Sequence, residues 1–257
     1  MSLLHSPNKA NDRAILKRLE NVLDPELDEP IIDLGFVRSA QLDAGHAVIA
    51  LQLPTSWCAV NFAYMIAEDI RTALLATDDV DRVTIRLGDH CAAAEIEAAV
   101  NSGKPFAHAF PGEGGEGLAV LRRNFQRKGF LARQARLLAA LRGAGWPFDA
   151  ISMLRLGEVT IAGRFVAVRS PGAQPVEFAA AEVLRRYVER RAELGLDCRP
   201  AAPLIIDPDG ATLPPEQLEA YFHSARTVRV SMESNGSFCR AVLATRLNLP
   251  HEPVRRP

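Results

Sequence analysis

The chain lacks any apolar run that approaches the roughly 20 residues needed to span a membrane. Its first ten residues also lack a positively charged start followed by an apolar core, so we expect no secretory signal and predict a cytoplasmic protein. Positive and negative charges nearly cancel, giving a formal net charge of −1. This balance gives no reason to expect nucleic acid or a membrane as a partner.

Several common catalytic signatures are also missing. The sequence contains no G-x-S-x-G motif and no H-E-x-x-H motif. Its clearest glycine-rich stretch, residues 111–117, is acidic, lacks lysine and does not follow a predicted strand. Because such a stretch would repel phosphate, we predict a flexible linker there rather than a phosphate-binding loop. We assign no catalytic residue from these patterns.

Cysteine is scarce and widely spaced. The four cysteines form no C-x-x-C pair; they are Cys58, Cys91, Cys198 and Cys239. This usage favours a cytosolic protein whose thiols are reduced.

The first hundred residues show hydrophobic patterns in the order helix, strand, strand, helix, strand. We predict helices over residues 13–22 and 58–76, and strands over residues 36–42, 47–53 and 80–87. The segment 43–46 is typical of a tight turn, so the first two strands should form a hairpin. The order predicts an α+β fold in which a small three-stranded sheet packs against two helices.

The rest of the chain predicts a second α/β or α+β module. We place a first domain at residues 1–110, the linker at 111–117, a mixed module at 118–249 and a tail at 250–257. The predicted helices of the later part cover residues 92–101, 118–142, 179–194, 214–224 and 236–247. The predicted strands cover residues 153–161, 164–169, 203–206 and 227–230.

Cys58 falls at the start of the predicted helix over residues 58–76. Free backbone amides and the positive end of the helix dipole favour a thiolate at such a position. A thiolate is the form that binds metals and attacks electrophiles. A buried cysteine used for packing is the alternative interpretation.

Three motifs in the first hundred residues resemble the metal–sulfur cluster assembly factor family. They are Asp24-Pro25-Glu26, Asp33-Leu34-Gly35-Phe36-Val37 and Thr55-Ser56-Trp57-Cys58, in that order. The family includes the eukaryotic cytosolic iron–sulfur assembly factor, the Suf-operon T proteins and the phenylacetate-degradation D proteins. The chain has Cys58-Ala59 where the family commonly has Cys-Pro.

The resemblance implies a role in delivering iron–sulfur clusters or maturing metalloenzymes through protein–protein contact. It also implies that Cys58 is a reactive thiol with Thr55 beside it and with Asp24 and Glu26 facing it. The cargo would be a transient iron–sulfur cluster or a metal ion. By chemistry alone, Asp24 and Glu26 suit either metal ligation or ordinary turn capping.

His90 and Cys91 follow the third predicted strand, so the strand end could bring them near Cys58. Thiol and imidazole groups suit zinc or iron, and Cys58, His90 and Cys91 are therefore candidate metal ligands. A turn histidine and a small core cysteine are the alternative interpretation. A cluster bridged between two chains would need fewer ligands from each and would make the protein a homodimer.

Three functions follow from these patterns. The first is a maturation factor, not an enzyme, that helps to install an iron–sulfur cluster or other metal centre in a client metalloenzyme or passes it to another assembly factor. The second is a metal-independent assembly chaperone, because the later half resembles extensions of family members encoded beside diiron monooxygenases; Arg122 and Arg123 would then dock the client. The third is a thiol enzyme with Cys58 as nucleophile and His90 as base.

Overall fold

A computed structural model describes residues 9–112, 115–168 and 176–248. These residues form two compact units, and each is described separately below. Unit 1 comprises residues 1–122 and 234–257, and unit 2 comprises residues 123–233. Two long helices pass from one unit to the other, at residues 122–123 and 233–234. In the described part of the chain, no helix combines the length and the apolar character needed to cross a membrane.

Unit 1 is built on a three-stranded sheet in the order β1-β2-β3. Its elements are α1 (Lys9–Leu19), β1 (Val37–Asp43), β2 (His46–Gln52), α2 (Val60–Leu75), β3 (Arg82–Gly88), α3 (Ala93–Asn101) and α4 (Phe106–Ala109). The hairpin between β1 and β2 is confirmed, and it turns at Ala44 and Gly45, which both have positive φ. That pair of positive φ angles suits the right-handed twist of the flanking strands.

The third strand pairs parallel to β2, so the sheet is mixed. A parallel pair needs a crossover, and helix α2 supplies it. Side chains alternate along β2, with Ala47, Ile49 and Leu51 buried. Ile66, Ile70 and Leu74 on α2 join the same apolar core. The predicted α+β fold of a small sheet packed against helices is therefore confirmed.

Unit 2 has its own core and its own sheet of three antiparallel strands in the order β4-β5-β6. Its strands are β4 (Val159–Ala162), β5 (Phe165–Val168) and β6 (Val176–Phe178). Its shorter helices are α6 (Phe148–Met153) and α7 (Ala181–Glu193). Helices α5 (Gly115–Gly143) and α8 (Pro215–Arg246) each contribute one part to unit 2 and the other part to unit 1.

The later part of the chain differs from the predicted elements in several places. The strand predicted over residues 153–161 begins only at Val159, because α6 ends at Met153 and a 3-10 helix covers Leu156–Glu158. Helix α5 already includes residues 115–117 of the predicted linker, whereas residues 113 and 114 lie outside the described residues. Residues 203–206 form only isolated bridges. The predicted helix, strand and helix between residues 214 and 247 are one helix, α8. The predicted tail, residues 250–257, lies outside the described residues.

Candidate functional site

The Asp24-Pro25-Glu26 motif forms a turn that is stabilised by the side chain of Asp24. The Asp24 Oδ1 atom accepts hydrogen bonds from the backbone N–H groups of Glu26 and Leu27, each at 2.9 Å. Asp24 is buried, and this burial raises its pKa to about 6, against the lowering effect of the two N–H groups. The nearby charges of Glu26 and Glu29 contribute to the same upward shift of the pKa. The Asp24 carboxyl group therefore stabilises the turn through its hydrogen bonds and also has a strongly shifted pKa.

Cys58 lies just outside helix α2. The helix begins at Val60 with Ala59 as its N-cap residue, so Cys58 precedes the cap. The prediction that the helix starts at Cys58 is therefore wrong by two residues. We define the Cys58 turn as residues 54–58, and its thiol is half-buried against the core of unit 1.

The loop between β3 and α3 holds the Cys58 turn in place through hydrogen bonds. The His90 Nε2 atom is 2.8 Å from the Cys58 carbonyl oxygen, and the Cys91 N–H donates to the Ser56 carbonyl oxygen at 2.8 Å. The Thr55 hydroxyl lies 3.2 Å from Cys58 Sγ. Thr55 is thus beside the sulfur, as the family resemblance implies.

His90 has both ring nitrogens occupied by backbone groups. Its Nδ1 atom accepts a hydrogen bond from the Ala92 N–H at 3.2 Å, which leaves Nε2 as the donor to the Cys58 carbonyl. The imidazole therefore positions the Cys58 backbone and does not contact the sulfur. This arrangement contradicts the predicted use of His90 as a base for Cys58.

The predicted metal ligands do not converge. In residues 9–112, 115–168 and 176–248, no group of three or more His, Cys, Asp or Glu side chains is placed to hold a metal ion. Cys91 is exposed, and its backbone rather than its thiol is engaged with the Cys58 turn. Cys58, His90 and Cys91 therefore do not form a ready-made metal centre, because the β3–α3 loop uses its polar groups to hold the turn.

A second thiol reaches this site from the far end of the chain. We call residues 234–246 of α8 the C-terminal helix segment, and they belong to unit 1. Its Arg240 forms an ion pair with Glu29, and its Arg246 donates to the Leu53 carbonyl oxygen at 3.0 Å. Cys239 on this segment is half-buried against the same core as Cys58.

The electrostatics of Cys239 show which groups surround it. The pKa of its thiol is raised to about 11, chiefly by burial and also by the charges of Asp24, Cys58 and Glu26, while Arg240 lowers it. The thiol is therefore protonated at neutral pH. The charges of Asp24, Glu26 and Cys58 thus act on the Cys239 thiol, and Thr55 is hydrogen-bonded to the Cys58 sulfur.

The two arginines predicted to dock a client have different surroundings. Arg122 belongs to unit 1 and forms ion pairs with Glu68 at 3.1 Å and with Asp69 at 2.7 Å. Arg123 is exposed and belongs to unit 2. Arg122 therefore holds the first part of α5 against α2. Of the two arginines predicted to dock a client, Arg123 is the exposed one.

Two exposed aromatic rings adjoin the two thiols in sequence. Trp57 precedes Cys58 and is 76% exposed, and Phe238 precedes Cys239 and is 68% exposed. Large aromatic side chains with this exposure are typical of surfaces that bind other proteins.

Sequence reasoning did not connect Cys239 to this site. The signal was present as an apolar period on one helix face, where Gly236, Cys239, Leu243 and Leu247 recur at intervals of three and four. The Asn235-Gly236 pair interrupts this apolar period in the sequence, because that dipeptide usually marks a turn.

A family match covers the part of the chain that contains Cys58 and the Asp24 turn. No curated protein and no solved structure matches the chain. A family model described as iron–sulfur cluster assembly protein matches residues 12–86, which include the Asp24 turn, the hairpin and Cys58. Residues 12–86 are therefore similar to the iron–sulfur cluster assembly protein family, as the resemblance of the motifs implied.

Proposed function

We propose that this protein is a maturation factor that holds an iron–sulfur cluster or its iron transiently at Cys58 and transfers it to a client metalloenzyme or another assembly factor. The cluster is the cargo of this process and not a resident cofactor. The family match to residues 12–86 supports the assembly role. The transfer of the cargo and its delivery to a client go beyond the family match and are our proposal.

The observation that carries the proposal is the way in which Cys58 is held. The carbonyl groups of Ser56 and Cys58 are hydrogen-bonded to Cys91 and His90. The hydrogen bond of the Cys58 sulfur is with the Thr55 hydroxyl. A fixed backbone with an available thiol limits the entropy that the site loses when it binds cargo. Thiolate is also the ligand that iron–sulfur clusters prefer.

Partial coordination suits delivery better than storage. A site with few protein ligands leaves positions on iron that sulfide or the acceptor's own cysteines can fill. Trp57, exposed beside Cys58, offers a contact for such an acceptor protein. The cargo would then pass from Cys58 to the acceptor by exchange of thiolate ligands.

Anaerobic reconstitution with iron and sulfide tests the proposal. We expect the wild-type protein to gain visible absorbance and to load an apo-ferredoxin acceptor, and we expect Cys58→Ser to lose at least about tenfold of the transfer rate. Cys198→Ser is the matched control, because Cys198 is an exposed thiol of unit 2. Its absorbance and transfer rate should equal those of the wild type.

Equal loading and equal transfer by wild type and Cys58→Ser would refute the role of Cys58. A metal-independent chaperone would then be favoured, and the exposed Arg123 would be the next residue to reverse in charge. Arg122 is unsuitable for that purpose, because its reversal would break two ion pairs inside unit 1.

A further inference from the structure

The Cys58 turn and the β3–α3 loop both begin at the same end of the sheet in unit 1. Strands β2 and β3 run parallel, and their last paired residues are Gln52 and Gly88. A Cβ atom on Gly88 would lie 2.9 Å from Gln52 Oε1, so glycine permits the close approach at this end of the pair. Leu53 and Asp89 are the next residues of the two strands, and they lead directly into the turn and the loop.

The guanidinium group of Arg246 bridges these two strand ends. Arg246 lies on the C-terminal helix segment and donates from Nη1 to the Leu53 carbonyl oxygen at 3.0 Å. Its Nη2 atom donates to the Asp89 carbonyl oxygen, also at 3.0 Å, and forms an ion pair with the Asp89 carboxylate. The planar fork of an arginine holds two acceptors at a fixed spacing, which a lysine ammonium group does not. One side chain therefore fixes the two strand ends relative to each other.

The backbone of Asp89 has a conformation that needs this support. Its φ angle is +50°, in the left-handed region that residues other than glycine adopt at an energetic cost. Such a conformation persists where surrounding contacts stabilise it, and it is often found at functional sites. Arg246 contacts both the carbonyl and the carboxylate of Asp89 and so stabilises the bend that leads to His90.

Two hydrogen bonds carry this constraint from Asp89 to the residues around the thiol. The neighbouring His90 donates to the Cys58 carbonyl oxygen at 2.8 Å, and the Cys91 N–H donates to the Ser56 carbonyl oxygen at 2.8 Å. On its other side, the Cys58 turn follows directly on the strand end that the same guanidinium group holds. The turn is therefore tied to one arginine on both sides.

We propose that Arg246 is a positioning residue for the cargo site, which holds the Cys58 turn in the conformation that presents the sulfur and acts through the two strand ends. This inference rests on the proposed function and deepens it. It adds a determinant of delivery from a part of the chain that lies outside the family match over residues 12–86. The C-terminal helix segment is then part of the delivery site as well as part of the core.

The consequence for cargo transfer follows from conformational entropy. A turn that is mobile loses more conformational freedom when its sulfur binds iron than a turn that is already held. Glutamine at position 246 would have one donor nitrogen in place of the two that hold the strand ends. We therefore expect Arg246→Gln to loosen the Cys58 turn and to bind and transfer cargo less well.

Hydrogen exchange of the full-length reduced protein tests the positioning role without any cargo. We expect Arg246→Gln to accelerate exchange of the Cys91 amide, which donates to the Cys58 turn, by about tenfold. The Ile31 and Phe36 amides in the core of unit 1 should keep their wild-type rates. Arg246→Lys keeps the charge without the planar fork and should give an intermediate rate at Cys91.

Arg18→Gln is the matched control. Arg18 also belongs to unit 1, its side chain is 27% exposed against 22% for Arg246, and it likewise pairs with an aspartate, Asp79. Its contacts lie outside the strand ends that hold the Cys58 turn. The Cys91 amide of this variant should therefore exchange at the wild-type rate.

Transfer of the cargo to the apo-ferredoxin acceptor is the second readout. We expect Arg246→Gln to lower the transfer rate by about tenfold, Arg246→Lys to recover part of it and Arg18→Gln to equal the wild type. Equal acceleration at Cys91, Ile31 and Phe36 in Arg246→Gln would show that Arg246 serves only the stability of unit 1. Unchanged exchange at Cys91 would also overturn the positioning role.

Failure of this inference can be told apart from failure of the proposed function. Transfer that is lost in Cys58→Ser but normal in Arg246→Gln would overturn the role of Arg246 and leave Cys58 as the cargo ligand. Equal transfer by the wild type and Cys58→Ser would refute the proposed function and, with it, this inference. Selective acceleration at Cys91 together with slower transfer in Arg246→Gln would support the inference.

Discussion

Asp24 is a residue whose charge opposes folding. Its pKa rises from 3.8 to about 6 because the carboxyl group is buried, so the folded protein binds more protons than the unfolded chain in this range. Stability must therefore fall as pH rises from about 4 to about 7, and the penalty at neutral pH is about 3 kcal/mol. A buried carboxylate whose pKa is so strongly shifted is typical of a functional site.

The Asp24→Asn substitution tests this cost. Asparagine keeps an Oδ1 acceptor for the N–H groups of Glu26 and Leu27, and it removes the titrating charge. We expect the variant to gain up to about 3 kcal/mol in free energy of unfolding at neutral pH and nothing near pH 4. Urea unfolding across this pH range measures the difference.

Asp33→Asn is the matched control, since Asp33 is an exposed carboxylate of the same connection between α1 and β1. Its pH profile should run parallel to that of the wild type. An Asp24→Asn profile that also runs parallel would show that Asp24 carries no folding penalty.

At the scale of elements, helix α7 holds a buried cation with backbone acceptors. Arg191 is fully buried and donates to the carbonyl oxygens of Asp197 at 2.7 Å, Pro203 at 2.9 Å and Leu204 at 3.0 Å. It therefore ties the chain around residues 203–206 to α7 where no ladder of strand hydrogen bonds exists. This is why a segment with a strand-like sequence forms only isolated bridges.

The Arg191→Met substitution should destabilise unit 2 by about 2 kcal/mol, because it removes the Arg191 donors to the part-buried carbonyl groups of Asp197 and Pro203 and leaves the Leu204 carbonyl with the Tyr187 hydroxyl. Trp146 packs on the core of unit 2 and reports the transition, whereas Trp57 is already exposed in the folded protein. Arg186→Met on the same helix is the control, and loss of its exposed ion pair with Glu182 should cost less than about 1 kcal/mol. Equal effects of the two substitutions would exclude the structural role of Arg191.

Helix α8 shows how tertiary contacts override a local signal. Asn235-Gly236 and the β-branched residues near Val230 predict a turn and a strand, but all of them lie inside one helix. Gly236 is used for close packing against Glu29, and Arg240 and Arg246 fasten the next turns. No pattern within residues 214–247 contains those partners, so the sequence prediction divides a continuous element.

At the scale of the whole molecule, unit 1 is completed by a segment that follows unit 2 in the chain. Deletion of residues 234–257 should therefore destabilise unit 1, because it removes the buried Leu243 side chain together with the contacts of Arg240 and Arg246. We expect a loss of at least about 2 kcal/mol. Hydrogen exchange should then accelerate by about 30-fold at the most protected amides of unit 1, such as those of Ile31 and Phe36.

The amides of unit 2 are the internal reference and should keep their exchange rates after the deletion. A first domain that is complete at residue 110, as the sequence predicts, would instead show no change in unit 1. The deletion thus distinguishes that domain prediction from the two-segment unit.

The local sequence was enough to predict the β1–β2 hairpin, the apolar period of α2 and the motif order that indicates iron–sulfur cluster assembly, and it nominated Cys58 as the residue to test. These depend on residues close together in the chain, where turn chemistry and hydrophobic period act directly. Tertiary contacts alone reveal that His90 supports the backbone of Cys58, that Arg122 is paired inside unit 1 and that Cys239 packs on the same core as Cys58. Each of these depends on partners more than 30 residues away, and a partner at that distance leaves no trace in local spacing.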